Sequence, residues 1–291
     1  MIRRQPEKNE KKELNISFYA KDQIECPICG TKFKKEELHS GGGRLIAGEL
    51  TDELRRTYEN SEKYGEIFPP IYQIVVCPKC LYATFLNDFR NIDKDTIKKI
   101  FDTMESRYLS VRRLIPTVDF NTMRTLSEGA VSYYLAILCY DAFDKKFSPT
   151  IKQAVCALRA AWLFSDLGTK YPEENYTYVS SLFYQKALFF YRNAVELESK
   201  GKEMIAGMRS FGPDTDKNYG YDGVLYLSCL LEYKYGSKKD PELRKERMQY
   251  NKRVLAKMFG LGKSSKEKPG PLLEMARDLY DKFKLELNED D

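Results

Sequence analysis

Apolar positions along the chain fall into two textures that meet near Asp93. Beyond it they recur at three- and four-residue steps. Ile97, Ile100, Phe101, Met104, Tyr108 and Val111 form one series, and Leu126, Ala130, Tyr133, Ile137 and Tyr140 the next. Ile151, Ala154, Val155, Leu158, Ala161, Trp162 and Ser165 end at Gly168. Tyr176, Val179, Phe183, Ala187, Phe190, Ala194 and Leu197 end at Gly201. Three more series follow: 224–235 before Gly236, Tyr250 to Met258 before Gly260, and Leu272 to Leu287 after Pro269-Gly270-Pro271. The spacing predicts seven helices and an all-α C-terminal two thirds. Their short Gly or Pro breaks predict antiparallel hairpins stacked side by side. Ala187, Tyr191 and Ala194 give a small-aromatic-small series like that of the second helix of a tetratricopeptide repeat, with Phe164 and Gly168 in the first.

Before Asp93 the pattern is irregular, with short apolar runs, the triplet Gly41-Gly42-Gly43 and the pair Pro69-Pro70. The run Ile71 to Val76 predicts a strand leading into Cys77. Thr51 to Tyr58 reads as a short helix capped by Thr51. The expected organisation is a polar, mobile arm over 1–22, a zinc-ribbon-like domain over 23–92 and a helical domain over 93–291. The fold class is mainly α: tetratricopeptide-like stacked helical hairpins with a small N-terminal zinc-ribbon-like α+β region.

Seven cysteines change the picture, because four of them form Cys26-Pro27-Ile28-Cys29 and Cys77-Pro78-Lys79-Cys80. Four thiolates close a tetrahedral shell around Zn2+, and a closed shell is structural because no position is left for water. The proline in each pair pre-sets φ, and Gly30 supplies a positive φ where Leu81 stands in the second pair. The 47 residues between Cys29 and Cys77 must form an insertion. His39, the single histidine, reads as an exposed loop residue rather than a ligand. Cys139, Cys156 and Cys229 lie in apolar helical stretches and read as buried.

Cys26 to Gly30, the stretch Gly43-Arg44-Leu45 through Tyr58, and Pro70-Ile71-Tyr72 through Cys80-Leu81-Tyr82-Ala83 together resemble the bacterial family termed domain of unknown function 2225. Arg159-Ala160-Ala161-Trp162-Leu163 and Tyr226 to Gly236 are similar to that family's helical part. The likeness covers roughly residues 23–260, and Leu81 departs from the glycine usual there. The resemblance implies a bacterial cytoplasmic protein with a metal-binding head and a tetratricopeptide-like body, and it implies no activity.

Charge decides less than the net +5 suggests, because residues 236–268 alone carry +7. No charge-free stretch exceeds 12 residues, the length of Gly129 to Tyr140, too short to span a bilayer as a helix. The N-terminus lacks the apolar core of a signal peptide, and the odd cysteine count fits a reducing compartment, so a cytoplasmic protein is expected. One histidine and no phosphate-binding glycine loop argue against an enzyme. A non-catalytic scaffold is expected, binding protein partners through the helical domain, with no membrane insertion. Tyr is abundant, 21 residues against 16 Phe, and Tyr134, Trp162, Tyr184, Tyr191 and Tyr233 are candidate partner-binding residues. The alternative is a nucleic-acid binder using the basic segment, with Lys245, Arg247, Lys252 and Arg253 on phosphates.

Overall fold

The computed structural model describes residues 16–39, 41–205, 208, 210–259 and 270–287. Three two-stranded antiparallel sheets come first. β1 (Ser17–Glu25) pairs with β2 (Lys32–Leu38), β3 (Ala47–Leu50) with β4 (Arg56–Tyr58), and β5 (Ile74–Val76) with β6 (Ala83–Phe85). Nine α-helices follow among the described residues: α1 (Leu86–Arg90), α2 (Lys94–Asp102), α3 (Met104–Leu114), α4 (Leu126–Tyr140), α5 (Pro149–Lys170), α6 (Tyr176–Ser199), α7 (Gly220–Tyr235), α8 (Pro241–Phe259) and α9 (Gly270–Glu286). The protein is mainly α. From α4 to α9 each helix packs on the next.

Local chemistry explains the helix ends. Thr125 caps α4 in a capping box, its side chain and that of Glu128 exchanging hydrogen bonds with the opposite backbone. Asp93 caps α2 by accepting from the Thr96 amide. Pro149 begins α5, where its missing N–H is harmless. Gly129 in α4 is required by close approach: a Cβ there would sit 2.4 Å from Ile71 Cγ2. That contact seats the turn at Pro69–Tyr72 on α4, and Tyr133 donates its hydroxyl to the Pro70 carbonyl at 2.6 Å.

Four expectations are corrected. Residues 17–22 belong to β1, so the boundary of the expected arm shifts; residues 1–15 lie outside the described residues. The strand expected over 71–76 is confined to 74–76, because Pro69-Pro70 start a 3-10 turn that runs through Tyr72. Thr51 to Tyr58 is no helix. Thr51 closes a turn, accepting the Arg55 amide on Oγ1 and the Leu54 amide on its carbonyl, and β4 leaves at Arg56. The helix expected over 97–111 breaks at Thr103, whose hydroxyl donates to the carbonyls of Lys99 and Ile100.

The two textures do not make two cores. One cluster of buried residues runs from Ile24 and the cysteine turns through α4, α5, α6 and α7 to Phe283 of α9. Polar contacts cross the same boundary. Lys152 of α5 pairs with Asp88 of α1 at 2.7 Å, and Tyr140 of α4 donates to the same carboxylate at 2.7 Å. A buried pair of this kind is costly to break once formed.

Candidate metal centre and the segment it anchors

Each Cys-x-x-Cys pair sits on the same backbone turn. Cys26 donates its amide to the Thr31 carbonyl and accepts from the Gly30 amide; Cys77 donates to the Tyr82 carbonyl and accepts from the Leu81 amide. Both turns need a left-handed residue, supplied by Gly30 at φ +70° and Leu81 at φ +57°. Glycine adopts that conformation freely, whereas leucine is strained by about 1–2 kcal/mol. Burial of the Leu81 side chain offsets the strain, and the second turn is as regular as the first.

The turns bring four sulfurs together. Cys26 Sγ lies 3.5 Å from Cys80 Sγ, Cys29 Sγ lies 3.6 Å from Cys77 Sγ, and all four fall within 4.8 Å of one another. A tetrahedral shell with metal–sulfur bonds of about 2.3 Å has sulfur–sulfur edges of about 3.8 Å. The set fits a single metal ion. It does not fit disulfides, whose sulfurs bond at about 2.05 Å, and all seven cysteines are free. Hydrogen bonds from Cys26 and Cys80 hold the Cys77 thiol far below the usual range, while Cys26 and Cys77 push Cys80 far above it. Four crowded sulfurs oppose one another's ionisation, and a central cation is what relieves that opposition.

The backbone of the second cysteine turn is held from outside by a residue with no signature in the sequence. Arg107 of α3 is buried and donates Nη2 to the Cys80 carbonyl at 3.1 Å and Nη1 to the Ile100 carbonyl at 2.7 Å. Cys139 of α4 accepts the Ala83 amide on its sulfur at 3.4 Å. His39 is half-buried against the Phe18 ring, centroids 4.5 Å apart, and is not among the clustered ligands.

The insertion between the two turns folds back onto the helices. The Glu53 carboxylate accepts Trp162 Nε1 of α5 at 2.5 Å and the Tyr184 hydroxyl of α6 at 3.0 Å, and pairs with Lys234 Nζ of α7 at 3.1 Å. Tyr226 of α7 donates to the Asp52 carbonyl at 2.8 Å. Leu54 is fully buried. Arg55 forms a two-pronged pair with Asp166 of α5, at 2.6 and 3.2 Å, and lies over the Trp162 ring.

The family described as "Uncharacterized protein conserved in bacteria (DUF2225)" matches residues 19–283. This chain belongs to the DUF2225 family. An "Uncharacterized protein" of Borreliella burgdorferi is similar to it, 45% identical over 273 residues, which are 94% of this chain and 98% of that protein. No solved structure matches the chain. The DUF2225 match begins inside β1 and reaches α9, so it takes in the cysteine turns, the insertion and the helices together.

Within this DUF2225 chain the candidate partner-binding residues do not share one open surface. Trp162 and Tyr191 are buried. Tyr184 is half-buried, stacked on Tyr235 at 4.4 Å and bound to Glu53. Tyr134 packs edge-on against Phe183, and Tyr233 against Phe283. Of the five, Trp162 and Tyr184 are engaged by residues 53–55 of the same chain. Of the candidate phosphate contacts, Lys245 and Arg253 are exposed, Lys252 is half-buried, and Arg247 turns toward Glu232 of α7 at 3.7 Å. Arg244 pairs with Glu286 at 2.8 Å. Lys263, Lys266 and Lys268 of the basic segment lie outside the described residues.

Among the described residues no helix is long and apolar enough to cross a membrane.

Proposed function

We propose that this protein is a non-catalytic interaction module: a tetratricopeptide-like stack of helical hairpins whose N-terminal segment is locked in place by a structural zinc ion. One observation carries the reading. The helices already hold a short polypeptide segment of acidic-then-apolar character, Glu53 on donors from α5, α6 and α7 and Leu54 in the core. A surface that binds one such segment is chemically suited to others. Since Trp162 and Tyr184 are already taken by Glu53, the partner surface is the outer face of α6, where Tyr178, Leu182 and Phe189 are exposed.

Zinc is the proposed metal because four thiolates favour it and leave no open coordination position. The metal then supplies folding free energy rather than chemistry. The tetratricopeptide likeness rests on the α5–α6 hairpin, in which Ala187, Tyr191 and Ala194 are buried and Phe164 stacks on Phe183 at 5.1 Å. At 22 and 24 residues these helices exceed those of a 34-residue repeat. A non-catalytic role is supported by the lone imidazole on Phe18. Burial also pushes the Cys139, Cys156 and Cys229 thiols up, away from the nucleophilic form. The chemistry suits a reducing cytoplasm, where the four ligand thiols stay available to metal.

Affinity purification of the tagged full chain from its native cells, with and without nuclease, tests the proposal. A small stoichiometric set of proteins that survives nuclease is the expected result. Loss of the set on nuclease treatment transfers the assignment to nucleic acid and to exposed Lys245 and Arg253. Zinc at about one per chain by elemental analysis is expected; another metal overturns that part.

A further inference from the structure

A groove separate from the metal centre runs along α7, walled by α6 and α8, with a volume of about 540 Å³. Its floor holds a charged group whose hydrogen bonds are unmade. Glu232 of α7 is 1% exposed, and neither carboxylate oxygen accepts a hydrogen bond among the described residues. A buried carboxylate must be compensated. Arg192 of α6 does so from one side, with Nη1 at 3.5 Å from Oε2, and Arg247 of α8 from the other, with Nη1 at 3.7 Å from Oε1.

These separations are ion-pair distances, longer than hydrogen bonds. Each guanidinium is therefore positioned by Glu232 while its N–H fork is not spent on it. Two guanidiniums against one carboxylate leave one positive charge in excess at the floor. On the rim, Glu196 is occupied by Lys200 of its own helix. The mouth is apolar: Phe189 of α6 is 61% exposed, Tyr250 of α8 59% and Leu243 39%. Phe189 also ends the exposed series that begins at Tyr178 and Leu182.

We propose that this groove is a docking site for a partner polypeptide, which enters an acidic side chain between Arg192 and Arg247 and lays apolar neighbours on Phe189, Leu243 and Tyr250. The assignment rests on the interaction function above and names its partner's chemistry. Arg192 and Arg247 offer planar, two-pronged donors matched to a carboxylate. The hold on Glu53 and Leu54 shows the same pairing of an acid with a leucine elsewhere on these helices. A polyanion is disfavoured, because the lining also carries Glu196 and Glu246.

The test uses the full chain and an array of synthetic dodecapeptides with central glutamate–leucine sequences, beside counterparts carrying glutamine or lysine for glutamate. Glutamate peptides are expected to bind about tenfold more tightly than the glutamine ones. The combined change Arg192→Gln, Arg247→Gln and Glu232→Gln removes the three charges together, strands no buried ion, and should abolish that preference. Phe189→Ser, on an exposed wall, should weaken all glutamate peptides while leaving the thermal midpoint in place. Equal binding of glutamate and glutamine peptides, preference for lysine, displacement by an oligothymidine strand, or preference retained in the triple variant each overturns the proposal. In the purification above, nuclease-resistant partners that the triple variant still captures leave the interaction function standing and remove this groove from it.

Discussion

Trp162 donates its indole N–H to the carboxylate of Glu53 at 2.5 Å, across 109 positions of sequence. The bond joins the insertion between the cysteine turns to the middle of α5, and Glu53 holds Tyr184 and Lys234 as well. Removing the carboxylate leaves an indole N–H and a phenol without their acceptor, and leaves the Lys234 ammonium with Asp52 alone. Glu53→Ala is expected to cost about 3 kcal/mol. Urea unfolding should show coupling between Glu53→Ala and Lys234→Met in a double-mutant cycle; additive costs would mean the pair contributes nothing of its own.

Metal removal should act on the whole chain. The cysteine turns share a core with α4 and α5, so chelation or Cys77→Ser is expected to lower the midpoint of a single cooperative transition. Far-UV circular dichroism and tyrosine fluorescence should report the same midpoint. Two separated transitions would show that residues 23–92 unfold as a unit of their own.

Gly129→Ala places a methyl group 2.4 Å from Ile71 Cγ2. Overpacking costs about 1–3 kcal/mol and the gain in helix propensity returns up to about 1. A net loss of about 1–2 kcal/mol is expected by thermal denaturation.

Tyr191→Phe has the opposite sign. The Tyr191 hydroxyl is buried and makes no hydrogen bond among the described residues. Deleting it removes a desolvated polar group without creating a cavity, so stability should rise by about 1 kcal/mol. Partner capture should be unchanged; a loss of capture would return Tyr191 to the binding surface.

Alkali should unfold the protein. Burial pushes the Tyr133 phenol up to about 12, and burial likewise raises Tyr140 and Tyr191. In the unfolded chain these phenols ionise near pH 10. Their contribution is complete below that pH and is lost as pH rises toward 12, because the unfolded chain releases its protons first. Lys234 adds to the same trend: burial pulls its ammonium down, but Glu53 and Asp52 outweigh this and raise it. Phenolate absorbance followed with helicity should show the buried phenols ionising together with unfolding. Ionisation of the buried phenols with helicity intact would contradict this.

The clustering of the four cysteines was legible because their signature is local: two residues between thiols, and a proline in each turn. Helices α4 to α7 were legible because their buried faces keep the helical period. What escaped was long-range. Trp162 and Tyr184 are aromatic in sequence, and nothing nearby shows that Glu53 will occupy them. Thr51 to Tyr58 carries a helical cap, yet Leu54 adopts φ +57° and its burial among the helices overrides the local preference. The break at Thr103 turns on one hydroxyl competing for two carbonyls, an effect that periodicity does not register. Arg107 looks like any charged position on a helix until the Cys80 carbonyl is seen beside it.

The two cysteine turns stand at either end of a 47-residue stretch, so a metal bound by both closes that stretch into a ring. A cross-link around a ring of this size removes about 4 kcal/mol of conformational freedom from the unfolded chain, by the same arithmetic that applies to a disulfide. Within the ring, Glu53 and Leu54 cannot drift far from β5 and the start of the helices. Their effective concentration near Trp162 is raised before any helix has packed. An ion held by both turns is thus a clasp in the denatured ensemble, narrowing the search that brings residues 52–55 to their seat.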